Sequence, residues 1–191
     1  MDGSPHITFQ DFLAQYRTVV RPEGSIQRIR LGMGIDGGFV ASFKGLRSRL
    51  RLEIERWPEM LAIQISQFRD FSGKLDHAGM REFQDICDRH KIAVLENKFD
   101  RNYFDTIEEF ALFFLYHDIR AVWVVGALTR VFETSMARIY DRNDAARRDV
   151  MITIFKFMML EISQVQRVYI RFAEYREVAL RDPAGADTLS T

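Results

Sequence analysis

Four histidines are the side chains of this sequence best suited to ligate a metal or move a proton. His117 lies in the run EEFALFFLYHDIRAVW, among Phe110, Phe113, Phe114, Tyr116 and Trp123. One neutral imidazole nitrogen in a dry, aromatic-lined slot is the donor that haem iron uses, which makes His117 the first candidate metal ligand. A histidine that is simply packed and hydrogen-bonded fits the same surroundings. His90 falls on the apolar side of its segment and faces either a pocket or the boundary of the core. His77 stands at an expected helix start and His6 near the N-terminus, and both read as surface residues.

Other chemistry is sparse. No Ser-His-Asp or Cys-His arrangement has a suggestive spacing, and no HExxH occurs. The single cysteine, Cys87, excludes both a cysteine-based zinc site and an internal disulfide. The pairs Glu53-Glu55 and Glu108-Glu109 read as solvated helix faces. Gly32, Gly34 and Gly37 spell GxGxxG, but a dinucleotide site needs a strand before that pattern and alternating strands and helices after it, and neither is visible. An enzyme is not expected.

With 191 residues, the chain suits one domain with a substantial core. The 27 basic and 27 acidic residues cancel, so no long-range field draws nucleic acid or an anionic membrane. The apolar runs near Phe110 and Phe155 are cut by His117, Asp118, Lys156 and Glu161, short of the roughly 20 residues that cross a bilayer. Together with the lone cysteine and no signal-like N-terminus, this leads us to expect a cytoplasmic protein. Sixteen phenylalanines and four prolines favour an aromatic-rich all-α fold over a sheet sandwich.

The apolar periodicity places these residues on helices. Phe9, Phe12, Leu13, Tyr16 and Val20 predict an amphipathic helix over 5–20, closed by the RPEG at 21–24. From Phe39 to about Phe71, steps of three and four residues predict a long buried face, which Pro58 should kink or divide. Asp76-His77-Ala78-Gly79 opens the next helix, with Phe83, Ile86, Cys87, His90, Val94 and Leu95 inward, and Asn97-Lys98 breaks it. Asp100 or Asp105 caps a central segment that continues to about Tyr140. After a turn at 141–144, with Asn143 or Asp144 as cap, a long helix from Ala145 to about Leu180 carries Val150, Ile154, Phe157, Met158, Ile162, Val165, Tyr169 and Phe172. Seven or eight helices are expected, with no internal repeat. The last two are too apolar for one domain to cover, which predicts a two-fold homodimer.

Three stretches carry a family resemblance: FDxxY from Phe99 to Tyr103, WxxGA from Trp123 through Gly126 and Ala127, and the helix ITIFKFMMLEISQVQRVYI. Together they resemble the sensor globins, the haem domain of globin-coupled sensors and their protoglobin relatives, over about 29–174. The resemblance implies a three-on-three globin-like fold with an extra N-terminal helix, so that 1–28 is an N-terminal extension, 29–180 the sensor-globin domain and 181–191 a disordered tail. It also implies haem b held by a histidine of the sixth helix, a diatomic gas such as oxygen as signal, and a homodimer through the last two helices, about 123–140 and 145–180. His117 would then be the iron ligand, with Tyr103, Phe110, Phe114, Trp123 and His90 around the cofactor. An output module usually follows in this family and none does here, which implies a stand-alone sensor or a domain cut from a longer protein, working on a signalling partner.

Two residue patterns depart from the family. Laid down without gaps from Tyr103 to Trp123, its pattern puts the iron ligand on Phe114, and His117 comes three residues later, about 4.5 Å further along the axis. The Gly-Leu-Pro corner that follows the ligand is replaced by Asp118-Ile119-Arg120-Ala121-Val122, so that the two helices run on as one. No tyrosine occurs between Tyr16 and Tyr103 to meet bound oxygen, and Trp57 or Phe68 fills that region with carbon. The expectation is a haem-free, dimeric signalling or regulatory module that answers to an apolar ligand or a partner protein. The alternative is a haem-based gas sensor with His117 on the iron.

Overall fold

Why the helices begin and end where they do is mostly a matter of short side chains at their ends. The computed structural model describes residues 7–20, 30, 32, 34–67, 73–96, 98–141 and 146–181. The expected features at Pro5, His6, 21–24, 68–71, Asn97, 143–144 and the tail after Arg181 lie outside the described residues. Among those described, seven helices and no strand are found, so the chain is all-α. Helix α1, Phe9–Val20, opens on a reciprocal pair in which the Asp11 N–H donates to Thr8 Oγ1 at 3.2 Å and the Thr8 hydroxyl donates to Asp11 Oδ2 at 2.6 Å. Helix α2, Gly37–Gly45, is capped by Asp36, whose Oδ1 accepts from the Phe39 N–H at 2.7 Å. Gly34 and Gly37 of the expected glycine pattern thus lead into a helix, with no strand among the described residues, and Gly34 supplies a positive φ of 64°.

The break expected at Pro58 comes instead at Leu46, where α2 hands over to α3, Arg47–Gln67. Pro58 removes one amide donor, but the residues around it are held from outside the helix. Trp57 stacks on Phe157 at 4.9 Å and meets the edge of Phe132 at 5.1 Å, while Ile54, Leu61 and Ile65 are buried on the same side. Tertiary packing overrides the local cost.

Helix α4, His77–Glu96, opens as the sequence implies, with Asp76 Oδ1 accepting from the Gly79 N–H at 2.8 Å. Helix α5, Arg101–Tyr116, is capped by Asp100 rather than Asp105. Nine of its side chains are buried, on every side, which makes it the central helix. Just before it, Phe99 accepts a left-handed φ of 45°, because its ring is buried against Phe39, Phe43 and Tyr103.

The segment expected to continue to Tyr140 is interrupted. Helix α6 is Ala121–Tyr140, and His117 is the C-terminal cap of α5. The Asp118 N–H donates to Leu115 O at 3.0 Å and the Ile119 N–H to Phe114 O at 2.8 Å, with Asp118 left-handed at φ 52°. This paired closure is the usual helix stop, with aspartate where glycine is common. Lys74 Nζ donates to the Asp118 carbonyl and, at 2.7 Å, to its Oδ2, and the side chain of Ile119 is buried.

Helix α7, Arg147–Arg181, spans about 52 Å. It packs along α6 and against α5, with α2 near its start; α4 lies between α3 and α5, and α3 also lies on α6. Helix α1 covers the junction of α5 and α7, where Phe9 meets Phe113, Phe12 meets Phe172, and Tyr116 donates to Ile7 O at 2.8 Å. No described helix is long and apolar enough to cross a membrane. We expect Asp118→Val to lower the unfolding free energy by about 1–2 kcal/mol in urea denaturation, since a β-branched side chain is strained in the left-handed region. Asp118→Gly should change it by less than about 1 kcal/mol, because glycine adopts that φ freely and only an exposed ion pair is lost.

Candidate functional site

Three helices bring four polar side chains together inside the aromatic core. Tyr103 and Thr106 stand one turn apart on α5, His90 reaches them from α4, and Glu161 from α7. Glu161 is 4% exposed and Tyr103 1%. The Thr106 hydroxyl donates to the Tyr103 carbonyl at 2.9 Å, so its free lone pair accepts from His90 Nδ1–H at 3.0 Å. The Tyr103 hydroxyl donates to Glu161 Oε1, and Glu161 Oε2 lies 2.9 Å from His90 Nε2. Burial first, then the neighbouring Glu161 carboxylate, pushes the Tyr103 phenol well above its ordinary 10.0.

A buried carboxylate with one oxygen unmet would cost several kcal/mol, and here both are met. A second buried acid, Glu53, has no exposed surface and lies 3.6 Å from Arg138 Nη1. Two expectations of solvated faces are thereby corrected. Glu53 faces the interior while Glu55 pairs outside with Arg51, and the largely covered Glu108 and Glu109 pair with Arg17 and Arg89. Their helices are enclosed on the sides that the sequence pattern leaves to solvent.

Phe110 stacks on His90 with ring centres 6.5 Å apart, and the other candidates are placed apart from this cluster. Phe114 is fully buried, its ring 5.0 Å from Phe110, 5.5 Å from Phe83 and 5.7 Å from Phe113. His117 stands past the end of α5, half-buried, its ring 4.5 Å from Phe113 and 5.0 Å from Tyr116. It leans on the start of α4, with Cε1 3.6 Å from where a Cβ on Gly79 would be. Its Nε2 is enclosed and has no hydrogen-bond partner. Burial holds the ring below its ordinary 6.5, against the opposing pull of Asp76. Trp123 is half-buried in the first turn of α6.

A porphyrin needs a slot of several hundred Å³ beside an imidazole nitrogen free to bind iron. His90 has both nitrogens engaged, and the cavity it lines holds about 40 Å³. Beside Phe114 the space is taken by phenylalanine rings, and His117 points at the α4 backbone. These residues do not fit haem. Among the described residues, no group of three or more His, Cys, Asp and Glu side chains is set to hold a metal ion. Compared with known protein families, curated proteins and solved structures, the chain matches none.

Thr106 and Glu161 are the members that the sequence pattern does not single out. Glu161 had a signal, since it falls four residues from both Phe157 and Val165 in the buried stripe of α7. A glutamine there can still accept from Tyr103 and donate to a neutral His90, so Glu161→Gln should stay within about 1 kcal/mol of the parent by urea denaturation. Glu161→Ala, which strands His90 and Tyr103, should cost about 3–5 kcal/mol, and Tyr103→Phe about 1–3 kcal/mol. Cys87, Tyr103 and Tyr169 all have their acid forms favoured in the fold, relative to ordinary values of 9.0, 10.0 and 10.0. Their contribution to stability is whole below pH 9.0 and is lost as pH rises from there through the higher folded values. Thermal unfolding against pH should show this alkaline decline, with a shallower slope in Tyr103→Phe.

Proposed function

We propose that this chain is a haem-free, globin-like module that acts as a homodimeric signalling or regulatory domain. The observation that carries the reading is the outer face of α7. Ile152, Phe155, Met159 and Ile170 recur there at helical spacing over about 27 Å, with Phe155 51% and Ile170 58% exposed. Ser163 and Gln166 interrupt the row between Met159 and Ile170, and the cluster of exposed apolar side chains at Ile152, Phe155 and Met159 is the part that marks an interaction site. On α6, Val122 and Tyr140 are exposed as well, and a Cβ on Gly126 would meet nothing within 4 Å, so a second helix could approach closely there. A two-fold pairing of α6 and α7 with their copies would bury both faces at once.

The helix pairings support the globin-like part. The pairings of α4 with α3 and α5, and of α7 with α5 and α6, are compatible with a globin-like packing, with α1 as the additional helix outside α5 and α7. The aromatic filling around Phe114 supports the haem-free part. With no haem slot beside His90, Phe114 or His117, what the described fold offers is a packed interior and an outer helical face through which a partner or a second copy can be engaged.

Light scattering on the purified chain should give a dimer at micromolar concentration, and Phe155→Glu with Met159→Glu should give a folded monomer. A wild-type monomer, or a dimer indifferent to both substitutions, would overturn the dimer. Protein expressed with haem supplied should show no Soret band; a stoichiometric band lost in His117→Ala would overturn the haem-free reading.

A further inference from the structure

The cavity beside His90 and Glu161 measures about 40 Å³, is lined by α3, α4, α5, α6 and α7 and is partly open to solvent. Its apolar wall includes Trp57, Leu61, Cys87, Phe110, Leu128 and Val131. His90 and Glu161 also reach it, but their hydrogen-bonding atoms are taken up by Thr106, Tyr103 and one another. Lys91, at the partly exposed rim with Pro58, is turned toward Asp88. The Cys87 thiol is held neutral by burial and is only a weak donor.

A confined water needs about 10–15 Å³ and two to four polar partners. This void has the room for a few waters and lacks the partners. A charged or strongly dipolar guest would be stranded for the same reason. Interiors close-pack, so a void of this size beside a stacked tryptophan leaves its wall atoms short of contacts that a guest can restore. We propose that the cavity is a binding site for a small neutral apolar molecule of a few heavy atoms, entering between α3 and α4 beside Pro58 and Lys91.

That such a guest acts as an input to the module rests on the signalling reading above. Glu161 contacts the cavity from one side of α7, and Phe155, Met159 and Ile170 occupy the opposite side of the same helix. A guest that shifts Glu161 shifts the helix whose outer face is offered to a partner.

Xenon is the probe. In methyl-labelled full-length protein under xenon pressure, the methyl resonances of Leu61, Leu128 and Val131 should shift saturably. In whichever of Leu128→Phe and Cys87→Leu remains folded, filling the void should weaken that response at least tenfold. Shifts that grow linearly with pressure, that appear only at other methyls, or that survive in a folded filled variant would overturn the site. Light scattering on the same samples separates the two claims. A dimer without the xenon response overturns the site and leaves the dimer; a monomer that takes up xenon at these methyls does the reverse.

Discussion

A carboxylate on the longest helix, placed where almost no solvent reaches it, must be met on both oxygens or the helix cannot lie there. Glu161 is met by Tyr103 from α5 and His90 from α4, and His90 is held in turn by Thr106. Apolar packing alone tolerates sliding of one helix past another by a fraction of a turn. Hydrogen bonds do not, because their strength falls away over a few tenths of an ångström and with angle. The cluster therefore fixes the register of α4, α5 and α7 inside a core that is otherwise phenylalanine, leucine, isoleucine and valine.

That register decides what the rest of the interior can be. With α5 pinned at Tyr103 and Thr106, Phe110, Phe113 and Phe114 are delivered into the space between α4 and α1, where they pack on Phe83 and Phe9. The helix then closes at His117 and Asp118, which turns the chain outward before α6 starts. His117 is left against the first turn of α4, one turn beyond the ring-filled slot. The same closure lets Tyr169 donate to the Ile119 carbonyl at 2.7 Å, which ties α7 to the corner.

Much of the fold was legible as periodicity. The buried stripes of α1, α4 and α7, the caps at Asp76 and Asp100 and the all-α class follow from residue spacing and short acidic side chains. Pro58 misled because the cost of a missing amide is local and visible, whereas the rings that offset it, Phe132 and Phe157, lie far along the chain. The stop at Asp118 was hidden for a related reason. Aspartate is an infrequent left-handed residue, and its support comes from Lys74 across the fold. Of the candidate site, Tyr103 and His90 were visible as individual residues, but the link between them was not, because Glu161 reads in isolation as an interruption of an apolar run. Glu53 was concealed in the same way, since burial of a charge on α3 depends on Arg138 of α6.

The claim on which these arguments meet is that His90 and Glu161 act as one unit across α4 and α7. A double-mutant cycle of His90→Ala and Glu161→Ala, read by urea denaturation, measures that coupling directly. The two substitutions should be non-additive by about 1–3 kcal/mol, the double variant losing less than the sum of the singles. Additivity to within about 0.5 kcal/mol would contradict the account, because it would mean that the two side chains contribute to stability independently.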